Sequence, residues 1–516
     1  MSGRTLRLMG LGMVATAGAG FLSVAAMMNT GYAHADGEDV GLVMGGSGLP
    51  IPGTEYVESA YGHYLSGLGI TEFYGGSDAN FFGNGLYTPE GLYPLTGVHT
   101  LELNYPSSGD LNLPSGSTSV GQGITILTNS IEANAANGDI STVFGYSQSS
   151  TISSLAMQQL EADGVNQDAV KFLLVGDVSA PNGGLLSRFD GFTTTSGTVV
   201  PDQLNLPSLG VAFDGATPSA DYATTVYSIE YDGFTDFPKY PLNFLADVNA
   251  FLGIETLHGT YLNGGDGTEG LGSGPSLGDI ANATQLQTTP GSLSDYYMIT
   301  TLDGTDATPG AEITAPLVAL LPKPLQEVLG PDLTYLINLG YGDGTQGWSD
   351  GPADVNSPFG LFPDVSGSQV LSTLVTDTEQ GFQNLINGTD PYASATSTLD
   401  PATTTQSMAE VMAALHTDLA DPSATITELV NAISTASSAA YSTLLPTADI
   451  INALVTSMPA YDLSLFSTNL ASGDLLDAVG LPFAADTALL TLAAGFEVEV
   501  IQNAASEISA AFANLF

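Results

Sequence analysis

"TVFGYSQSSTISS", residues 142–154, decides how the rest of this sequence is read. An apolar run ends in Gly-Tyr-Ser-Gln-Ser, and a run of small residues follows. A serine hydroxyl alone is a poor nucleophile. It needs a base within hydrogen-bond reach and donors for the oxyanion that develops. In a nucleophile elbow the serine sits on a tight strand-to-helix turn, in strained backbone. The residues two before and two after then approach closely, so both must be small. Here they are Gly145 and Ser149. The bland alternative is a turn with a capping serine. Apolar "TVF" before the pentapeptide and helix-like "SSTISSLAMQQLEAD" after it favour the nucleophile, with Ser147 exposed at the carboxyl end of a strand.

The flanking chain fits that context. "DVGLVMGG" (39–46) reads as a buried strand entering a glycine loop, and "GVHTLELNYP" (97–106) as another strand. Val120, Ile124, Leu127 and Ile131 share a helical face. Residues 148–163 follow as a helix, 170–177 as a strand, 224–232 as a strand and 240–253 as a glycine-terminated helix. Alternation of this kind predicts an α/β fold, with a mainly parallel sheet covered on both faces. Between residues 178 and 222 the pattern weakens, which predicts an insertion that caps a site. Residues 366–388 read as a linker. The chain before Thr389 holds 58 of the 61 glycines, and residues 389–516 form an Ala/Ser/Thr-rich helical module. Its stripes, such as Met408, Val411, Met412, Leu415 and Leu419, are core-facing positions at helical spacing.

Bulk composition narrows the function. There are 54 acidic residues against 6 Lys and Arg, a formal charge of −48, so no basic stripe exists to neutralise nucleic-acid phosphates. Only 12% of residues are charged, which leaves a surface of Ser, Thr, Asn, Gln and Gly, as in an exported protein. With no cysteine, disulfides, thiol catalysis and thiolate metal sites are absent. No metal or cofactor is expected. Arg4 and Arg7, an apolar run at 8–28 and Ala33-His34-Ala35 read as a signal peptide over residues 1–35, with an uncleaved anchor as the alternative. Export to the medium or the cell envelope is the expectation. No later stretch reads as long and apolar enough to span a bilayer.

The base can be sought by elimination. His63 and His99 precede Ser147, whereas this fold runs Ser, acid, His. His416 belongs to the tail, and Asp177 ends a strand too early for the acid. His258, opening "HGTYL", is the best base. The acid lies in "SIEYDGFTDFPKYP", as Asp236 or Asp232. Asp236 is preferred for its Gly-x-x-Asp spacing, and Asp232 is the alternative at the strand end. The oxyanion donors are the Gln148 N–H and one from "MGGSGLP", that is Gly46, Ser47 or Gly48. Leu185, Leu186, Phe189 and Phe192 in the insertion are candidates for an acyl channel.

Six stretches together resemble the PE-PPE domain of mycobacterial envelope proteins, a serine α/β-hydrolase family related to cutinases. They are "VMGGSGLPIP", "FGYSQSS", "NGGLLSRF", "IEYDGFTDFPKYPLNFLADVNAFLG", "HGTY" and "YLINLGYGDG", within about residues 40–363. Cutinases have glycine where Ser149 stands. The resemblance implies a hydrolase domain over residues 36–365, a triad of Ser147, Asp236 (or Asp232) and His258, and esterase activity on acyl esters. Some members are thought to move acyl chains between envelope glycolipids, which makes an acyltransferase the alternative. A non-catalytic envelope interaction protein is the reading from another class. An export signal stands here in place of the usual PE or PPE helical module. The mature chain is expected to begin at Asp36. N-terminal sequencing of exported protein checks this, and a product still carrying residues 8–28 would indicate an anchor instead.

Overall fold

The computed structural model describes residues 39–46, 52, 54–66, 68, 72–74, 119–189, 205–206, 211–212, 215–262, 274–387, 391, 431–432, 434–439 and 443–513. Seven strands form the main sheet. They are β1 (Asp39–Val43), β2 (Glu72–Tyr74), β3 (Ile140–Tyr146), β4 (Val170–Val175), β5 (Ala223–Ile229), β6 (Thr284–Gln285) and β7 (Ser294–Ile299). Their order is β2-β1-β3-β4-β5-β7-β6. Every neighbouring pair is parallel except the β6 edge, which runs antiparallel to β7.

Parallel pairing needs crossovers, and helices supply them. In chain order the longer helices are α1 (Thr54–Ala60), α2 (Ser119–Asn137), α3 (Gln148–Ala162), α4 (Phe244–Thr256), α5 (Lys323–Asn338), α6 (Gly367–Asn387), α7 (Met458–Ser472) and α8 (Leu475–Ala513). The central strands are apolar on both faces, as a doubly covered sheet requires. Phe144, Leu173, Val175, Tyr227 and Ile299 pack into one core layer. Val143, Phe172, Leu174, Val226 and Tyr296, their pleat neighbours, pack into the other with Leu127 and Ile131 of α2. The architecture is the mainly parallel, doubly covered α/β sheet that the alternation predicts, with the hydrolase-type fold that the resemblance implies and helices at the C-terminal side.

Some expectations change. Residues 366–388, read as a linker, are mostly helix α6. It docks on α5, with Gly381 against the Val328 carbonyl and the Thr378 hydroxyl donating to Asp332 at 2.8 Å. Val370, Leu371, Leu374, Val375, Phe382, Leu385 and Ile386 recur in it at helical spacing, a signal the linker reading passes over. The strand read at 97–106 and the stripe at 408–419 lie outside the described residues. Of the insertion, 178–189 is a buried turn and short helix, and Asn205–Leu206 pairs with Val211–Ala212 as an antiparallel ribbon. Residues 475–508, within α8, are long and apolar enough by length and composition to cross a membrane, contrary to the sequence reading. Asp477 and Asp486 interrupt the run and mask it to the eye. A packed helix meets the same criterion, and one face of α8 is packed here.

That face joins a third apolar cluster. Leu481, Ala484, Ala485, Ala488 and Leu492 of α8, with Tyr461 and Leu465 of α7, meet Val178, Leu185, Phe189, Phe234, Phe237 and Phe359 of the α/β body. Phe251 of α4 stacks edge-on to Phe496 at 5.7 Å. Each fully buried side chain of this size contributes about 1.5–3 kcal/mol. Leu465→Ala is therefore expected to lower the unfolding free energy by about 2–5 kcal/mol in a urea titration, because Leu465 is fully buried in that cluster.

Candidate active site

Ser147 links β3 to α3 with φ 56° and ψ −119°, in a region that side-chain-bearing residues rarely enter. The sequence around it is shaped to permit this. A Cβ on Gly145 would lie 2.9 Å from the Ser149 carbonyl oxygen and 3.0 Å from Leu174 Cδ2. Any side chain there would push helix α3 off the strand. Ser149 does more than stay small. Its hydroxyl accepts the Tyr146 N–H at 2.8 Å and donates to the Tyr146 carbonyl at 3.0 Å. The Ser147 N–H donates to the Val175 carbonyl of β4, and Ser150 donates from both its N–H and its hydroxyl to the Ser147 carbonyl. The turn is held from both sides.

His258 opens a short 3₁₀ turn after α4. Its Nε2 is 2.8 Å from Ser147 Oγ, and its Nδ1 is 2.8 Å from Asp232 Oδ2. All three are buried, at 4%, 3% and 0% exposure. The imidazole plane is fixed by its neighbours. Tyr146 stacks on it at 5.4 Å and donates its hydroxyl to the His258 carbonyl at 2.6 Å. Phe234 meets it edge-on at 4.7 Å. Asp232 Oδ2 also receives the Tyr261 hydroxyl at 2.9 Å, and Oδ1 receives the Phe234 N–H at 3.1 Å. Tyr146, Phe234 and Tyr261 were not singled out from the sequence. Their one signal was proximity to Ser147, Asp232 and His258 in the chain.

The preferred acid was Asp236, and the structure places Asp232 on the imidazole instead. The reason is backbone geometry. Tyr231 has φ 67°, and that residue turns the chain so that Asp232 faces His258. Asp236 is the clamp of this turn. Its Oδ2 accepts the Tyr231 N–H at 3.2 Å, and its own N–H donates to the Asp232 carbonyl at 2.7 Å. Gly233, the glycine of the Gly-x-x-Asp spacing, is needed for a different purpose. A Cβ there would fall 2.2 Å from the Ala250 carbonyl of α4. Asp177 likewise serves a turn, accepting from the Ser179 N–H and the Thr217 hydroxyl.

The remaining candidates separate clearly. The Gln148 N–H opens α3 beside Ser147. Gly46 lies close by, since a Cβ on it would be 3.5 Å from Ser147 Cβ. Ser47 and Gly48 lie outside the described residues, as do Phe192, His99 and His416. Leu185, Leu186 and Phe189, read as channel candidates, are buried among apolar side chains. They lie in the cluster under α7 and α8, where Phe189 packs edge-on to Phe359 at 4.6 Å. Their spacing marked a buried turn that the tail helices cover. His63 is turned to the Ser59 carbonyl, away from this constellation. Among the described residues no group of acidic or histidine side chains is arranged to hold a metal ion.

A buried charged layer underlies the acid-bearing turn. The Arg188 guanidinium, wholly buried, donates to the Phe237 and Ser357 carbonyls and to the Ser349 hydroxyl. Burial lowers its pKa to about 10, against the opposing field of Asp236. Burial also raises Asp236 well above the usual carboxylate range. Glu230 is pushed up to about 8 by burial, against one hydrogen bond from the Gly347 N–H at 3.0 Å.

In sequence, residues 83–342 match the PE-PPE domain. The Mycobacterium tuberculosis PPE family protein PPE28, whose function is uncharacterized, is 37% identical over 92% of this chain and 66% of its own length. The esterase PE16 of the same organism is 35% identical over 62% of this chain and 51% of its own. The PE family protein PE3, also from M. tuberculosis, is 33% identical over 66% and 62%. The chain thus spans about half to two thirds of the length of these curated relatives. A cutinase-like protein from Cryptococcus sp. aligns in structure at 21% identity, over 40% of this chain and 82% of that one, with a TM-score of 0.22.

The Glu230 shift carries a pH signature. The unfolded carboxyl ionises above about 4.5, the folded one only above about 8. Between these values the folded state holds the extra proton, so stability falls as pH rises. Glu230→Gln keeps an acceptor for the Gly347 N–H and removes the titration. The variant is expected to match the native chain near pH 4 and to melt higher at pH 8. Thermal denaturation across that window checks it.

Proposed function

The chain belongs to the PE-PPE domain family, and from that premise we propose that it is a serine ester hydrolase acting on acyl esters through an acyl-enzyme. The observation that carries the reading is the hydrogen-bonded chain Ser147–His258–Asp232, on a strained strand-to-helix turn. The name of the relative PE16, an esterase, supports hydrolase chemistry at the level of the family.

The chemistry follows from the geometry. His258 Nε2, neutral, accepts the proton of Ser147 Oγ as the oxygen attacks the ester carbonyl. Asp232 holds the proton on Nδ1 and stabilises the imidazolium that forms. Its other partners, the Tyr261 and Thr235 hydroxyls and the Phe234 N–H, fix the carboxylate in place. The negative charge on the carbonyl oxygen is met by the Gln148 N–H at the start of α3, together with a donor from the Gly46 loop. Collapse of the adduct transfers the Nε2 proton to the leaving alcohol. A water then attacks the acyl-serine, giving its proton to His258, and the free acid and Ser147 are released.

The proposal separates two neighbouring aspartates. Asp232→Asn is expected to reduce kcat by about 10⁴, because the amide no longer favours the working imidazole tautomer. Asp236→Ala is expected to keep most of its turnover while melting at a lower temperature, since it removes the acceptor that clamps the turn at Tyr231. Ser147→Ala should lose kcat on the order of 10⁶. Turnover of a short-chain nitrophenyl ester, with mass-spectrometric mapping of a fluorophosphonate adduct, checks all three. An adduct away from Ser147, or native turnover in Ser147→Ala, would overturn the reading.

A further inference from the structure

We propose that the cavity between the β6 edge and the 346–353 loop is a binding site for a neutral saccharide. The cavity holds about 310 Å³ and is lined by Trp348, Asn182, Gln285, Gln287, Gln346 and Asp350 among others. Volume of this order is enough for a small ligand. Trp348 is the single tryptophan of the chain. Around it stand four side-chain amides, each with both donors and acceptors, and one carboxylate. Among the described residues no Lys, Arg or His lines the cavity, so an anionic ligand has nothing to neutralise it. An apolar ligand would leave the buried Asn182 Oδ1 without a partner. A pyranose ring meets both demands. Its C–H face stacks on an indole, and its hydroxyls both donate and accept around the rim.

The walls are built. The Gln346 amide donates to the Trp348 carbonyl at 3.2 Å, which holds the loop round the indole. The Asn182 amide nitrogen donates to the Asp350 carbonyl at 3.2 Å, while its buried Oδ1 has no partner among the described residues. Ala353 N–H donates to the Gln287 carbonyl at 2.7 Å, and Asp354 accepts from both the N–H and the hydroxyl of Thr289. These bonds stitch the β6 side to the loop side. The same loop also reaches the acid-bearing turn, because Gly347 N–H is held by Glu230 and Ser349 accepts from Arg188. The inference rests on this cavity and stands apart from the hydrolase reading.

The single tryptophan makes the test direct. The full chain is titrated with the methyl glycosides of glucose, galactose, mannose and arabinose at millimolar concentration, following Trp348 emission. Saturation-transfer NMR runs in parallel. At least one glycoside is expected to shift the emission in a saturable way. Gln287→Ala and Gln346→Ala are each expected to weaken binding about fivefold. Trp348→Leu should abolish the NMR transfer, with nitrophenyl ester turnover unchanged. A sugar-bearing and a sugar-free lipid of equal chain length distinguish a glycolipid headgroup from free polysaccharide. Silence with every glycoside would overturn the proposal, as would a response to the sugar-free lipid alone, or binding unaffected by the three substitutions.

Discussion

The backbone of Ser147 is the constraint on which the site depends. A residue with a side chain is held at positive φ, a conformation that costs of order 1–3 kcal/mol. It persists because strand β3 and helix α3 leave no other path between them. Gly145 allows the Ser149 carbonyl to come within contact distance, and the Ser149 hydroxyl ties both ends of Tyr146. The parallel sheet supplies the rest. β3 sits between β1 and β4, so its carboxyl end is flanked by the Gly46 loop on one side and the Val175–Asp177 turn on the other. Fixing Ser147 thereby fixes where an oxyanion would be received.

Asp232 is placed by a second strained residue. Tyr231, at φ 67°, follows β5 and swings Asp232 toward His258. That turn is packed against α4 through Gly233 and clamped by Asp236. α4 in turn carries His258 at its end. Asp232 and His258 are therefore set against one another by a single helix–turn contact. The buried Arg188 sits behind this unit and, among the described residues, has no carboxylate in direct contact; it donates to two carbonyls and a hydroxyl instead. Buried charge of this kind adds little net stability and fixes the positions of its partners.

The C-terminal helices extend the apolar core outward from the same unit. Phe234, whose ring meets His258, is also a member of the cluster that α7 and α8 close. One continuous apolar path thus runs from the imidazole to the tail. Leu185 and Phe189, which sequence spacing suggested as channel walls, are the middle of that path.

The sequence by itself determined what depends on near neighbours in the chain. The elbow was legible because its physical demand is local: two small residues flanking Ser147, between a strand and a helix. The placing of His258 beside Ser147 was legible because few histidines follow Ser147, and the mainly parallel sheet because alternation of apolar strands and helices leaves little choice. The tertiary structure alone decided between Asp232 and Asp236, four residues apart in one loop. Which of them faces the imidazole depends on one backbone torsion at Tyr231 and on the packing of Gly233 against α4, and neither is encoded in residue type at the aspartates. It alone showed that the insertion's Leu185, Leu186 and Phe189 are core. Burial is a property of what covers a segment, and the helices that cover this one are more than 250 residues away in the chain.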